Sequence, residues 1–150
     1  MYEYAKAMAI EHKIKGTNVV LGPMVNIARV PQGGRTFESF GEDPFLAATM
    51  VKPYVKGVQD QGLLACVKHW AFNNQEENRL HVSANVQLRA SWEIYYPAFE
   101  AAVKAGVGSV MCAYNKVNHT YACENDQLMN KDLKQTMGFE GFVVRYVLIA

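Results

Sequence analysis

The chain alternates between short, continuously apolar stretches and longer segments in which apolar residues recur every three or four positions. The apolar stretches cover residues 18–21 with a continuation over 24–27, 64–67, 108–112 and 141–144. Strands that are buried on both faces of a parallel sheet are continuously apolar rather than alternating. We therefore predict four buried, parallel strands.

Four segments between these strands have a helical period. The first covers residues 2–13. The second follows Asp43-Pro44, a capping residue and a proline at the first helical position, and it repeats Leu46, Met50, Tyr54 and Val58. The third is an aromatic stripe that ends at Gly106 and consists of Leu88, Trp92, Tyr96, Phe99 and Val103. The fourth begins at Asn125 or Asp126 and ends at Gly138.

The alternation of helix and strand predicts βαβ units around a parallel sheet. A (β/α)8 TIM-type barrel needs about 250 residues. A chain of 150 residues therefore holds about half of the βα units of such a barrel. We predict an α/β fold that is a partial barrel.

Composition narrows the classes of partner. Half of the residues are hydrophobic, 19% are charged and the formal net charge is +1, which is typical of a globular core. Nucleic acid and anionic membranes attract clustered positive charge, so we expect neither as a partner. Residues 1–16 contain no signal-peptide core, so either the protein is intracellular or its true N-terminus lies upstream.

Polar side chains follow each predicted strand, at the end where barrel enzymes carry their chemistry. Arg35 comes after the first strand, Lys68, His69 and Arg79 after the second, and Tyr114 after the third. The set is rich in hydrogen-bond donors and lacks a glycine-rich phosphate loop. Such donors beside an aromatic ring suit a neutral, polyhydroxylated ligand, and we predict one wall of a sugar-binding subsite.

The three cysteines match no zinc-binding spacing, and we expect no metal. Cys66 is interpreted as a buried small hydrophobe. Cys112 and Cys123 flank a turn-like segment that contains an N-glycosylation sequon at Asn118. We predict that these two cysteines lie within disulfide reach, with Cα atoms less than about 7 Å apart, and that Asn118 is exposed.

Five long motifs resemble, in order and spacing, the N-terminal barrel of family 3 glycoside hydrolases, the β-glucosidase family. They are LGPMVNIARVPQGGRTFESFGEDP, CVKHWAFNNQEENR, VGSVMCAYNKVN, YACEN and MGFEGFVV. The resemblance implies that residues 1–150 are a part of that domain, incomplete at both ends. It also implies a retaining hydrolase without a cofactor, acting on a small carbohydrate such as a β-glucoside or cello-oligosaccharide.

The same resemblance implies functions for single residues. It assigns sugar contacts to Arg35, Lys68, His69, Arg79 and Tyr114, and it gives Glu38 the task of bracing a loop. For the full-length parent it implies secretion.

The resemblance stops after Val144. The family continues with Ser-Asp-Trp, in which the aspartate is the nucleophile, whereas this chain has Arg145 and Tyr146 at the first two positions. The family's acid/base glutamate comes from a later region. A retaining glycosidase needs two carboxyl groups, so we expect no intact catalytic pair and no turnover by this chain alone.

Two other functions stay open at this level. The chain could be a non-catalytic sugar-binding or regulatory module. It could also be an aldolase-like barrel in which Lys68 forms a Schiff base, since a buried lysine with a lowered pKa can act as a nucleophile.

Overall fold

The structure is a computed structural model that describes residues 1–145. Its strands in chain order are β1 (Val19–Val20), β2 (Leu64–Trp70), β3 (Ser83–Ala84), β4 (Ser109–Cys112), β5 (Lys116–Val117), β6 (Thr120–Tyr121) and β7 (Phe142–Val144). The main sheet is four-stranded and parallel, in the order β1-β2-β4-β7. The predicted parallel α/β arrangement is confirmed.

The helices lie between these strands, as the alternating pattern predicts. The α-helices are α1 (Tyr2–Ile14), α2 (Pro44–Gln59), α3 (Leu88–Ala90) and α4 (Pro97–Lys104). Two π-helical segments cover Ser91–Tyr95 and Gln127–Thr136. Short 3₁₀ turns cover Pro31–Gly33, Thr36–Glu38 and Ala122–Glu124.

The predicted continuation of the first strand over residues 24–27 is wrong. Met24 makes a single bridge to Lys68, and the neighbouring contacts are Val25 N to Lys68 O at 2.9 Å and Lys68 N to Pro23 O at 3.0 Å. Pro23 has no backbone N–H, so it interrupts the ladder that would join this segment to β1. The segment therefore runs beside β2 as extended but irregular chain.

The aromatic segment is two α-helices joined by a π-helical turn, not one helix. The turn ends where Tyr96 N donates to Ser91 O at 2.8 Å, just before Pro97, whose ring cannot continue an α-helical hydrogen-bond ladder. Tyr96 and Phe99 pack on Trp70 with ring centroids 4.6 and 5.0 Å away. Leu88, predicted in the same stripe, is 65% exposed.

Helix α2 begins at the predicted cap, where Asp43 Oδ1 accepts from Phe45 N at 2.8 Å. Its buried face includes Tyr54 and Val58 as predicted, but in the first turns Ala47 and Val51 are buried while Leu46 is exposed. Helix α1 crosses it closely at Gly57, where an added Cβ would lie 2.6 Å from Tyr2 O.

The sequence did not predict the small second sheet, which has the order β3-β5-β6. Strands β5 and β6 form a hairpin whose two turn residues, Asn118 and His119, have φ angles of 47° and 75°. A disulfide joins Cys112 to Cys123 across this region, with Cα atoms 5.4 Å apart. The predicted disulfide distance is therefore met.

Candidate active site

A cleft opens at the carboxyl end of the main sheet, where the sequence predicts a shared site. Strand β2 ends with Lys68, His69 and Trp70, and the peptide bonds Lys68-His69 and Trp70-Ala71 are both cis. The cleft has a volume of about 330 Å³, which is within the usual range of about 300–1,000 Å³ for small-molecule pockets. Its lining residues are Leu21, Arg35, Lys68, His69, Arg79, Met111 and Tyr114.

All five residues predicted to bind sugar are therefore brought together. Arg35 lies on the loop between β1 and α2, and Arg79 lies on the loop between β2 and β3. Tyr114 follows β4, whose Met111 is the register partner of Lys68. The parallel register explains this convergence, because successive strands end at the same edge of the sheet.

Glu38 connects two of the cationic side chains. Arg35 Nε donates to Glu38 Oε1 at 2.5 Å, and Lys68 Nζ lies 3.1 Å from Glu38 Oε2. Burial by itself raises the pKa of Glu38, but the hydrogen bond from Arg35 and the charge of Lys68 outweigh burial and lower the pKa below its ordinary value. The carboxylate is thus ionised; its Oε1 binds Arg35 within the loop, and its Oε2 ties the loop to Lys68 on β2.

His69 is buried, with 3% of its surface exposed. Burial, and next the charges of Arg35, Lys68 and Arg79, lower the pKa of His69 to about 3. The imidazole is therefore neutral over the physiological range of pH. Its Nε2 atom lies 3.0 Å from Arg35 Nη1.

Asn26 holds His69 from behind and was missed by the sequence prediction. Its Oδ1 accepts from His69 N at 2.9 Å, and its Nδ2 donates to His69 O at 2.9 Å. Asn26 is itself buried. A polar residue within the apolar stretch MVNIA was the signal that could have identified it, because a buried amide requires partners.

Glu76 organises the opposite side of the cleft. Arg79 Nη1 donates to Glu76 Oε2 at 2.6 Å, and Asn73 Nδ2 donates to Glu76 Oε1 at 3.1 Å. The Arg79 guanidinium also lies over the Tyr114 ring, 4.8 Å from its centroid. Arg79 is thus fixed between a carboxylate and an aromatic face.

The site combines three cationic side chains, those of Arg35, Lys68 and Arg79, with the two carboxylates that pair with them, Glu38 and Glu76. Glu38 and Glu76 do not line the cleft, so its surface is rich in donors. Within residues 1–145, no hydrogen bond uses Arg35 Nη2.

Two further findings concern metals and membranes. Among residues 1–145, no three histidine, cysteine, aspartate or glutamate side chains come together as a metal-binding group would require. The helices in this same part of the chain are all too short or too polar to cross a bilayer.

Tyr146, at the position of the family nucleophile, lies outside the described residues, so its assignment stays a prediction.

Comparison with known proteins gives the same picture over nearly the whole chain. Probable beta-glucosidase L of Aspergillus fumigatus is 46% identical over 145 residues, which cover 96% of this chain and 20% of that protein. Beta-glucosidase BoGH3A of Bacteroides ovatus is 48% identical over 143 residues, which cover 95% of this chain and 19% of that protein. The chain thus spans about a fifth of the length of these relatives.

Solved structures agree closely with the fold. DesR, a β-glucosidase from Streptomyces venezuelae in complex with D-glucose, superposes with a TM-score of 0.96 at 45% identity, covering 98% of this chain and 19% of that one. β-Glucosidase 3B from Thermotoga neapolitana in complex with glucose gives a TM-score of 0.94 at 48% identity, covering 97% of this chain and 20% of that one. The four-stranded sheet is therefore a part of a (β/α)8 barrel, as predicted.

The sequence profile of the glycosyl hydrolase family 3 N-terminal domain matches residues 1–148. The profile match, the relatives and the fold agree, and the chain belongs to glycosyl hydrolase family 3.

Proposed function

We propose that this chain forms the sugar-binding wall of a β-glucosidase that acts by a retaining mechanism. The observation that carries the proposal is the convergence of Arg35, Lys68, His69, Arg79 and Tyr114 on one cleft. Their arrangement suits a neutral sugar, because charged donors backed by carboxylates bind hydroxyl groups without requiring a charged ligand. The names of the relatives, and the glucose with which the two solved structures are in complex, support the same substrate class.

Each residue has a distinct task in this proposal. Arg35 and Lys68 donate to ring hydroxyls, and Glu38 fixes the distance between them. The Tyr114 ring, with Arg79 over it, forms an aromatic surface beside the sugar. His69 is neutral and its Nε2 accepts from Arg35 Nη1, so it holds the Arg35 guanidinium instead of donating to the sugar as the sequence predicts.

Hydrolysis by the chain alone is not part of the proposal. A retaining mechanism requires a nucleophilic carboxylate and an acid/base carboxyl group about 5 Å apart. In the described part of the chain, Glu38 and Glu76 form ion pairs with cleft residues, and these cationic side chains hold both carboxylates. The sequence places Tyr146 at the family's nucleophile position. We therefore propose that the chain binds but does not hydrolyse.

The test begins with the unmodified chain and 2,4-dinitrophenyl β-glucoside, whose leaving group needs little protonation. We expect no release of dinitrophenolate above the buffer rate. With cellobiose, whose leaving group must be protonated, Tyr146→Asp alone should also give no hydrolysis, because the general acid, typically worth 10²–10⁴-fold, would still be lacking. Turnover by the purified, unmodified chain would refute the proposed lack of hydrolysis.

The sugar contacts are tested in a full-length enzyme rebuilt with Ser-Asp-Trp at positions 145–147 and with the family's upstream and downstream regions. Lys68→Ala or Arg35→Ala should lower kcat/KM by roughly 10–100-fold, since a hydrogen bond from a charged group contributes about 1.5–3 kcal/mol. Lys104→Ala is the matched control, because Lys104 is an exposed lysine paired with Glu100 on α4. Equal kinetics for Lys68→Ala and Lys104→Ala would refute the assigned contact.

A sugar-binding module without catalysis is the second function to test. The cleft in the chain itself supports this alternative, and glucose titration of the isotope-labelled chain, followed by NMR, measures it directly. Shifts confined to the cleft, lost in Lys68→Ala, with no activity in the rebuilt enzyme, would favour it.

The Schiff-base alternative has no supporting contact. Schiff-base formation requires a free amine, whereas Lys68 Nζ lies 3.1 Å from Glu38 Oε2. Borohydride in the presence of a carbonyl substrate should leave Lys68 unmodified.

A further inference from the structure

A second site of chemical interest lies on the β5–β6 hairpin, away from the sugar cleft. Asn118, His119 and Thr120 form the only N-x-Ser/Thr sequon of the 150-residue sequence, and all three residues are exposed. None of the residues lining the sugar cleft belongs to this hairpin. The site is therefore independent of the proposed glycosidase function.

The hairpin holds the Asn118 backbone and its side-chain carbonyl in place. Asn118 N donates to Ala84 O at 3.2 Å, and Asn118 Oδ1 accepts from Val86 N at 3.2 Å. The next residue is fixed as well, since His119 N donates to Ser83 Oγ at 3.0 Å. Within residues 1–145, no hydrogen bond uses Asn118 Nδ2, which is the atom that N-glycosylation modifies.

We propose that Asn118 is an N-glycan attachment site. The donor is a lipid-diphosphate-linked oligosaccharide that carries N-acetylglucosamine at its reducing end. A bond forms between Asn118 Nδ2 and the anomeric carbon of that sugar, the bond from the anomeric carbon to the phosphate oxygen breaks, Nδ2 loses one proton and the lipid diphosphate leaves. The product keeps Oδ1 as a carbonyl, so the hydrogen bond from Val86 N survives glycosylation.

The disulfide is the second observation that supports this site. Cys112 and Cys123 enclose the sequon and are bonded in the structure, and protein disulfides form in the oxidising secretory compartments where N-glycans are attached. Two independent features of one short segment thus indicate the same compartment. An exposed hairpin turn is also the surface location that a bulky, solvated glycan requires.

The experiment expresses the whole chain behind a cleavable leader peptide in a eukaryotic secretory host. Both the medium and the cell lysate are digested with peptide-N-glycosidase F, so that retained chain is also counted. We expect a glycosidase-sensitive species, with conversion of Asn118 to aspartate in the peptide that contains it. Because the sequence has one sequon, no other asparagine can explain the shift.

Two variants of Thr120 separate the modification from folding. Thr120→Ala removes the sequon but keeps the Asn118 hydrogen bonds, so it should lose the glycosidase-sensitive species. Thr120→Ser keeps the sequon and should retain it. A chain whose leader has been cleaved but which shows no glycosidase-sensitive species, in both the parent and Thr120→Ser, would overturn the proposal.

Discussion

Arg35 Nη1 lies 3.0 Å from His69 Nε2 at the centre of the cleft. A guanidinium has no acceptor, so the arginine donates and Nε2 accepts. The ring proton must then lie on Nδ1, which is 3.4 Å from Asn26 Oδ1. This one contact indicates both the neutral state of His69 and its tautomer, and it occupies the single lone pair of Nε2, so the imidazole holds the Arg35 guanidinium in place.

The first prediction concerns the pH dependence of folding. The pKa of His69 is lowered from 6.5 to about 3 in the folded chain, so the unfolded chain binds the proton more readily. The contribution of His69 to stability is fully present above about pH 6.5 and is lost as the pH falls toward 3. The free energy of unfolding should fall by at most about 1.4 kcal/mol per pH unit over this window.

Urea denaturation between pH 7 and pH 5 measures this slope, since Glu38, whose pKa is lowered from 4.5, contributes mainly below that range. His69→Gln, which cannot titrate, should show a flatter dependence than the parent. Parallel pH profiles for the parent and His69→Gln would contradict the buried, neutral histidine.

The second prediction concerns Asn26. Asn26→Ala leaves the buried N–H and C=O of His69 without the partners they have in the structure. We expect a loss of about 2–6 kcal/mol in the free energy of unfolding, because each of the two orphaned buried groups costs roughly 1–3 kcal/mol. Asn130→Ala is the control, since Asn130 is an exposed amide bonded to Asp126 on the surface. If both changes lower the free energy of unfolding by a similar, small amount, the hydrogen bonds between Asn26 and His69 do not stabilise the fold.

The five cleft residues could be predicted from the sequence because they lie at the ends of strands with a strong signal or in the loops that follow these strands. The strand that delivers Lys68 and His69 is a continuous apolar run, and the loops after parallel strands meet at one edge of the sheet. Neither the packing nor the charge partners were needed to make that prediction.

The partners themselves could not be predicted in the same way. Asn26 lies in a segment that reads as a strand by its apolar pattern but is irregular, because Pro23 cannot donate to a ladder. Strands β3, β5 and β6 have two residues each, which is too short for any periodicity. They form because tertiary contacts place them side by side, and such contacts cannot be predicted from the local sequence.

The third prediction concerns the disulfide. Replacing both Cys112 and Cys123 by alanine should lower the free energy of unfolding by about 2–3 kcal/mol, the loop-closure contribution of a cross-link across 11 residues. The parent in excess dithiothreitol should lose a comparable amount, while the double variant should not respond to the reductant. Loss of the disulfide in the reductant is verified by thiol labelling. If the parent then has the same free energy of unfolding with and without reductant, the disulfide does not stabilise the fold.

The fourth prediction concerns the contact between α1 and α2. Alanine usually stabilises a helix by up to about 1 kcal/mol relative to glycine. At Gly57, however, a Cβ would lie 2.6 Å from Tyr2 O and 2.9 Å from Ala5 Cβ. Gly57→Ala should therefore destabilise by about 1–3 kcal/mol, the usual range for overpacking. Lys56→Ala is the control at the exposed neighbouring position, and it should change the thermal unfolding temperature little. A higher unfolding temperature for Gly57→Ala would show that α1 and α2 can move apart to accommodate the added methyl group.

The fifth prediction compares two lysine–glutamate pairs in the same chain. Lys104 Nζ and Glu100 Oε1 are 2.5 Å apart, but their side chains are 64% and 37% exposed. Lys68 Nζ and Glu38 Oε2 are farther apart, at 3.1 Å, with side chains that are 11% and 24% exposed. Exposure should decide which pair is stronger, because water and salt screen the surface pair while a partly buried pair is screened less.

Double-mutant cycles measured by urea denaturation at pH 7 separate the two contributions. The Glu38→Gln and Lys68→Met cycle should give a coupling energy of about 0.5–2 kcal/mol, and it should change little when salt is raised. The Glu100→Gln and Lys104→Met cycle should give about 0.3–0.5 kcal/mol, the usual value for an exposed pair four residues apart on a helix, and it should fall with added salt. If the shorter, exposed pair has the larger coupling energy, then the distance between the charges matters more than their burial. The ion pair with Glu38 would then be too weak to fix the positions of Lys68 and Arg35 in the cleft.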